Sequence, residues 1–378
     1  MSGQDNNAAP PDEHPSRQEE ANGSSAGRHV NKETVMDTGP KTRVLVTGAT
    51  GFLGSNVIKA LMNRSDVEPI AACRTPSKLI PQFKGEIRSG DLMDAAYRKA
   101  VAQDVDVVCH TGTWGAFWGH AALERTHFFE PAVDLVDQCI DAGVKRFLLA
   151  STVAIAAIRK DGKPQDDFSE PRYTGYWPHV DKLIDVDNYM RENSQRGTQM
   201  VNMRLGHFVG KGNHLGMVPA LVPRLRTYMV PWLSGGRSRM ALVADSDLGE
   251  SFALASVAQG LDNYESFNIC GKDFPTTREV FEFICKETNS PKPIYSVPYF
   301  AGYAFGWLME TLLPILPGSS PFLTRSLVHV AEDWLCPTDY AHKKIGYTPQ
   351  KDWRVAVSEA LAELKEQGYP WPHLSQAA

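Results

Sequence analysis

The chain has 378 residues, 42% of them hydrophobic and 22% charged, with a formal net charge of −5. This is a globular balance, long enough for a bilobal enzyme, and it excludes collagen, coiled coil and wholesale disorder. Seven acids and three bases fall in residues 1–40, so the rest is near neutral and offers no broad basic field to nucleic acid.

Residues 1–40 are rich in Asn, Ser, Gly, Pro and Glu and nearly lack large apolar side chains. Such a segment cannot bury enough surface to offset its ordering entropy, so it reads as a disordered tail, with order beginning at Thr42. Its first twenty residues hold no apolar stretch of the signal-peptide kind, and a cytoplasmic location is expected. The cysteines at positions 73, 109, 139, 270, 285 and 336 show no CxxC spacing, which suits buried thiols rather than a metal site.

A regular rhythm follows. RVLVTG (43–48) is a strand, SNVIKALMNR (55–64) a helix, VEPIAACR (67–74) a strand and EIRSGDL (86–92) a third, with the helix DAAYRKAVA behind it. VDVVCHTG (105–112) is a fourth strand, AVDLVDQCIDAG (132–143) a helix closed by Gly143, and RFLLAST (146–152) a fifth strand. KLIDVDNYMREN (182–193) is a helix and QMVNMRLG (199–206) a sixth strand. Near-continuous apolar strands alternating with helices predict an α/β fold, a Rossmann-type doubly wound parallel sheet. Gly, Pro and aromatics rise beyond 206. Residues 207–345 are therefore expected to form a smaller, partly interleaved lobe, with 240–262 returning to the first domain and 346–378 forming a terminal helix and tail.

The strongest motif is VTGATGFLGSN, placed after a strand and opening a helix. Gly48 permits the tight turn, Gly51 lets backbone approach a pyrophosphate, and Gly54 lets helix pack on strand, with Thr50, Phe52 and Leu53 completing the cradle. The domain 41–206 is thereby a dinucleotide-binding one. At the end of the second strand no acid waits for ribose hydroxyls. Arg74 can fork onto a 2′-phosphate with Lys78 adding charge, so NADP is expected ahead of NAD.

The GxxGxxG spacing resembles the extended short-chain dehydrogenase/reductase superfamily (NAD-dependent epimerase/dehydratase), over about 43–365. Further matches are Gly90-Asp91-Leu92, His110-Thr111-Gly112, Arg204 and Gly210-Lys211-Gly212. The resemblance implies that Asp91, with Leu92, meets the adenine, and that Thr111, Gly112 and Thr113 pass over the nicotinamide side. It also implies a catalytic Ser or Thr, a Tyr that protonates the alkoxide, and a Lys four residues later that holds the ribose. Thr152, next to Ser151, matches the first, and Lys182 the last. Pro178 stands where the Tyr belongs, and Phe128 falls near the family's usual Asn. Tyr176 is the first candidate to replace the missing acid, and His179 is another.

Trp114, Phe117 and Trp118 follow the fourth strand and suggest a flat or long apolar substrate. The run 297–316 holds one charge, Glu310, and is interrupted by Pro298, Gly302, Gly306 and Pro314. It reads as an interface-embedded segment or as a helix buried in the second lobe. That run, with 267–284 and 321–349, resembles the 3-beta-hydroxysteroid dehydrogenase-like branch. The resemblance implies an NAD(P)-dependent oxidoreductase for a sterol-like or long-chain beta-hydroxy or beta-keto compound. A nucleotide-binding protein without catalysis and a nucleotide-sugar epimerase or dehydratase are the alternatives. The expected partners are an apolar small molecule and a membrane surface met through 297–316, with a homodimer as an admissible assembly.

Overall fold

The computed structural model describes residues 40–312 and 321–368. The tail reading and the end of the apolar run, 313–316, lie outside the described residues. Strand β1 (Thr42–Thr47) leads into α1 (Phe52–Met62), β2 (Val67–Cys73), β3 (Glu86–Ser89), α2 (Ala95–Val101) and β4 (Val107–His110). A short helix α3 (Ala121–Glu124) passes through a π-turn, Arg125–Phe129, into α4 (Glu130–Asp141). Pro131 has no N–H to offer the preceding turn, which accounts for the wide turn just before it. Then come β5 (Arg146–Thr152), α5 (Pro178–Asn193) and β6 (Gln199–Leu205).

Past β6 the chain forms β7 (His207–Val209), α6 (Met217–Leu225), β8 (Trp232–Leu233), β9 (Leu242–Ala244), α7 (Asp245–Val257) and β10 (Tyr264–Ile269). The remaining elements are α8 (Thr277–Thr288), β11 (Ser296–Val297), α9 (Tyr299–Leu312), α10 (Arg325–Val330), α11 (Asp339–Ile345) and α12 (Trp353–Glu366).

The main sheet has seven parallel strands in the order β10-β6-β5-β4-β1-β2-β3. The order reverses between β1 and β4, and a crevice opens there at the carboxyl ends of the strands. One face packs Leu45, Phe147 and Leu149 against α4 and α5, and the other packs Val46, Leu148 and Met203 against α1 and α7. Gly249 on α7 lets that helix touch the backbone of α1, since a Cβ there would stand 2.2 Å from the Asn56 carbonyl oxygen.

The seventh strand, β10, escaped the sequence reading. Its run YESFNI is not apolar, yet Glu265, Ser266 and Asn268 are buried. Partners distant in sequence make that burial tolerable: Lys344 pairs with Glu265 at 2.9 Å, and Asp167 accepts the Asn268 amide at 2.6 Å. A third core, built from α6, α8, α12 and β9, lies beyond the sheet's carboxyl edge. All six cysteines are buried and unpaired.

Candidate active site

The glycine cradle sits at the reversal of strand order. Gly48 follows β1 with φ of +68°, a left-handed conformation that favours glycine. A Cβ on Gly54 would stand 2.2 Å from the Gly48 carbonyl oxygen, so the close packing of α1 on the turn requires glycine. Gly51 precedes α1, and no side chain caps that helix. Its first-turn amides therefore remain for a phosphate, with the positive end of the helix dipole behind them. Opposite, Thr111 donates its hydroxyl to the Thr47 carbonyl at 2.7 Å, and Thr47 Oγ1 lies 2.8 Å from His110 Nδ1. These bonds hold the ends of β1 and β4 together. Leu92 lines up behind Gly112, and Asp91 accepts the Met93 amide at 3.0 Å. Arg74 is exposed at the tip of β2 with Nη1 3.8 Å from Asp91, and Lys78 is exposed beside it. These residues fit a dinucleotide: an open helix start, a backbone cradle that a Cβ would fill, and a basic rim.

A cavity of about 550 Å³ opens from the cradle. Leu53, Thr111, Thr113, Ser151 and Thr152 line its inner end. Thr152 Oγ1 accepts the Ala154 amide at 3.2 Å, which leaves the hydroxyl proton free to donate. The Ser151 hydroxyl is buried with no partner among the described residues. The outer wall is apolar and aromatic, including Phe117, Trp177, Met217, Leu233, Phe281, Phe322 and Leu327, with Arg224 as a charge on it. Of the three aromatics expected at the substrate, only Phe117 lines this cavity, stacked on Trp177 at 5.4 Å. Trp114 and Trp118 pack against His120 instead.

Helix α5 turns a different face to the cavity than the spacing to Lys182 suggests. His179 and Leu183, four apart on one face, line it. They stand one residue beyond Pro178 and Lys182. Asp181 explains the rotation. Its carboxylate accepts the backbone N–H groups of Thr174 and Gly175 at 2.6 and 2.9 Å and so points outward to the preceding loop. Lys182 pairs with Asp185 at 2.5 Å and lies over the Phe129 ring. It does not reach the cavity wall.

Tyr176 does not line the cavity either. Its hydroxyl lies 3.3 Å from Tyr303 Oη and 3.2 Å from His329 Nδ1, with the Arg325 guanidinium over its ring. Burial pushes its phenol above the ordinary range. His179 is held differently. Its Nδ1 lies 3.0 Å from Oε2 of Glu124, a fully buried carboxylate whose Oε1 accepts the Ala116 amide at 2.8 Å. Phe128, buried by the π-turn, packs against the imidazole at 5.4 Å.

Glu124, His207 and the Arg224 of the outer wall went unnoticed in the sequence. His207 lines the cavity with both ring nitrogens buried and unpartnered among the described residues. Burial first, and then the neighbouring His329, push its imidazole down to about 4, so it is neutral near pH 7. No local pattern marks these residues.

The chain matches the family model described as NAD dependent epimerase/dehydratase family over residues 44–270. It is 25% identical over 342 residues to a 2-alkyl-3-oxoalkanoate reductase of Stenotrophomonas maltophilia, covering 85% of this chain and 98% of that protein. It is 22% identical over 340 residues to a putative dihydroflavonol 4-reductase of Synechocystis, covering 86% and 95% respectively. Among solved structures, a UDP-glucose 4-epimerase of Thermus thermophilus in complex with NAD superposes with a TM-score of 0.64 at 19% identity, over 86% of this chain and 99% of that one. That likeness carries the fold. With the glycine cradle and the strand order in place, the chain belongs to the NAD-dependent epimerase/dehydratase family.

Proposed function

We propose that this protein is an NADP-dependent oxidoreductase that interconverts alcohol and ketone on a bulky apolar compound, sterol-like or a long-chain beta-hydroxy or beta-keto compound. The observation that carries this reading is the cavity wall. It continues from the dinucleotide cradle into a space faced by Phe117, Trp177, Phe281 and Phe322, which suits an apolar ligand. Two reductases among the relatives support it, and the name of one specifies a 3-oxoalkanoate. Arg224 lines the same cavity, stands near the Phe322 ring and has no carboxylate partner among the described residues. It suits the carboxylate of such a substrate.

When bound, the nicotinamide supplies or accepts hydride. The chain's own residues do the rest. Thr152, its oxygen already satisfied by the Ala154 amide, donates a hydrogen bond to the substrate oxygen. The α1 amides and Gly51 hold phosphate, and Arg74 with Lys78 favours the 2′-phosphate of NADP. Asp91, which accepts the Met93 amide, is the residue proposed to meet the adenine. The apolar wall excludes water and orients the ligand.

Nucleotide-sugar epimerisation is the second reading, supported by the family and the fold. It calls for a polar substrate lobe, and the aromatic wall counts against it. The deciding experiment follows NADPH oxidation with a sterol ketone, a long-chain beta-keto acid and a long-chain aldehyde, alongside UDP-glucose epimerisation with NAD. Ketone reduction is expected. Epimerisation without ketone reduction would overturn the proposal.

A further inference from the structure

The missing tyrosine leaves the reaction without its proton donor, and the geometry points to His179 as that donor, positioned by Glu124. This inference rests on the oxidoreductase reading above. Three observations carry it. His179 is the ionisable side chain that α5 presents to the cavity, which Thr152 and Ser151 also line. Its Nδ1 is engaged by Glu124 at 3.0 Å, which leaves Nε2 as the ring nitrogen open to a ligand. Glu124 is itself built into place: it is fully buried, it ends α3 at the π-turn, and its other oxygen takes the Ala116 amide.

A buried carboxylate that fixes one imidazole nitrogen sets both the tautomer and the direction of the other. It also offsets the charge of the imidazolium, which would otherwise be costly beside Phe128 and the aromatic wall. Among the described residues Glu124 is the only ionisable group bonded to His179. The Phe128 ring packs against it, and so does the backbone at Gly115, where a Cβ would meet the imidazole at 2.7 Å. Of the two cavity histidines only this one has an anionic partner among the described residues, since both ring nitrogens of His207 lack one.

The step balances. The carbonyl carbon accepts hydride from the reduced dinucleotide, the C=O π pair moves to oxygen, and the oxygen takes the Nε2 proton of the imidazolium. His179 is left neutral, still bonded through Nδ1–H to Glu124, and regains its proton from solvent. In the oxidative direction neutral Nε2 accepts the alcohol proton.

The test uses the full chain. In 15N-histidine NMR without cofactor or substrate, neutral His179 is expected as the Nδ1–H tautomer, and Glu124→Gln is expected to remove that signature. An Nε2–H tautomer in the wild type would overturn the dyad whatever the activity. With NADPH and a long-chain beta-keto acid, His179→Gln should lower kcat by roughly 100-fold or more, the ordinary scale for a general acid. KM and NADPH affinity should stay within about twofold, as expected for an interaction made in the transition state alone. Imidazole in solution should restore part of the turnover of His179→Ala. Glu124→Gln keeps an acceptor for the Ala116 amide, so a fold supported only by that bond survives it, while kcat falls and KM holds. An active wild type whose turnover survives His179→Gln but falls with Tyr176→Phe would overturn the assignment and leave the oxidoreductase standing. A wild type inert toward every ketone would overturn both.

Discussion

Gly48 and Gly112 meet backbone to backbone where β1 and β4 diverge: a Cβ on Gly48 would stand 2.6 Å from Gly112 Cα. The two glycines close the floor of the cradle, and neither can yield because the Thr47–Thr111 bond pins both loops. Gly48→Ala should therefore lose dinucleotide binding. It should also lower stability by at least about 1 kcal/mol from the left-handed backbone alone. Cofactor titration by nucleotide fluorescence and a thermal melt check the two effects. Wild-type affinity in the variant would mean that the phosphates sit elsewhere.

Arg74 carries the cofactor prediction. It is exposed, tied among the described residues at 3.8 Å to Asp91, and free to turn toward a 2′-phosphate. Arg74→Ala should weaken NADP about tenfold or more, ~1.4 kcal/mol, with little change for NAD. The loss should shrink as salt rises. Equal losses for both nucleotides would remove the basis for NADP.

Arg224 should set the preference for an acid. With dodecanoate and its methyl ester as probes, the acid should quench cavity tryptophan fluorescence at the lower concentration. Arg224→Met should erase that difference, a loss of about tenfold or more for a charge-assisted contact. Equal binding of acid and ester by the wild type would refute the role.

The outer face of α9 bears the membrane prediction. Gly302, Gly306 and Glu310 face inward, where Glu310 pairs with Arg325 at 2.6 Å, while Phe300, Phe305, Trp307 and Leu308 are exposed. No helix among the described residues is long and apolar enough to cross a membrane. A peripheral contact is the expected mode. The protein should float with liposomes, and Phe300→Glu with Trp307→Glu should return it to the soluble fraction. Protein unmoved by lipid would leave α9 as an exposed face without a membrane role.

Acid should destabilise the fold through two histidines. Burial pushes His110 and His207 down to about 4, against an ordinary 6.5. Above about pH 6.5 both states are neutral there, and the groups do not affect stability. As the pH falls from about 6.5 toward 4, the unfolded chain binds protons that the fold refuses, and stability drops. Asp167, pushed up to about 6 by burial, works in the opposite sense. Denaturant melts across this window should show the decline, and His110→Asn should flatten it. A His110→Asn profile as steep as that of the wild type would mean that this ring is not buried neutral.

What the sequence determined by itself is what local chemistry dictates. The glycine loop, the strands from β1 to β6 and the body of α5 were all legible, because backbone sterics and burial periodicity act over a few residues. The polar strand β10 was not, since Glu265 and Asn268 are admitted to the core by partners far away in the chain, Lys344 and Tyr340 for the first and Asp167 and Gln165 for the second. The rotation of α5 was not legible either. Residue spacing places Lys182 four residues after Pro178, but which face looks into the cavity depends on Asp181 binding the 174–175 loop. Only tertiary structure brings Glu124 to His179 across 55 residues. A hydrogen bond of that kind is decided by how α3 and α5 pack, and neither residue's sequence neighbours record it.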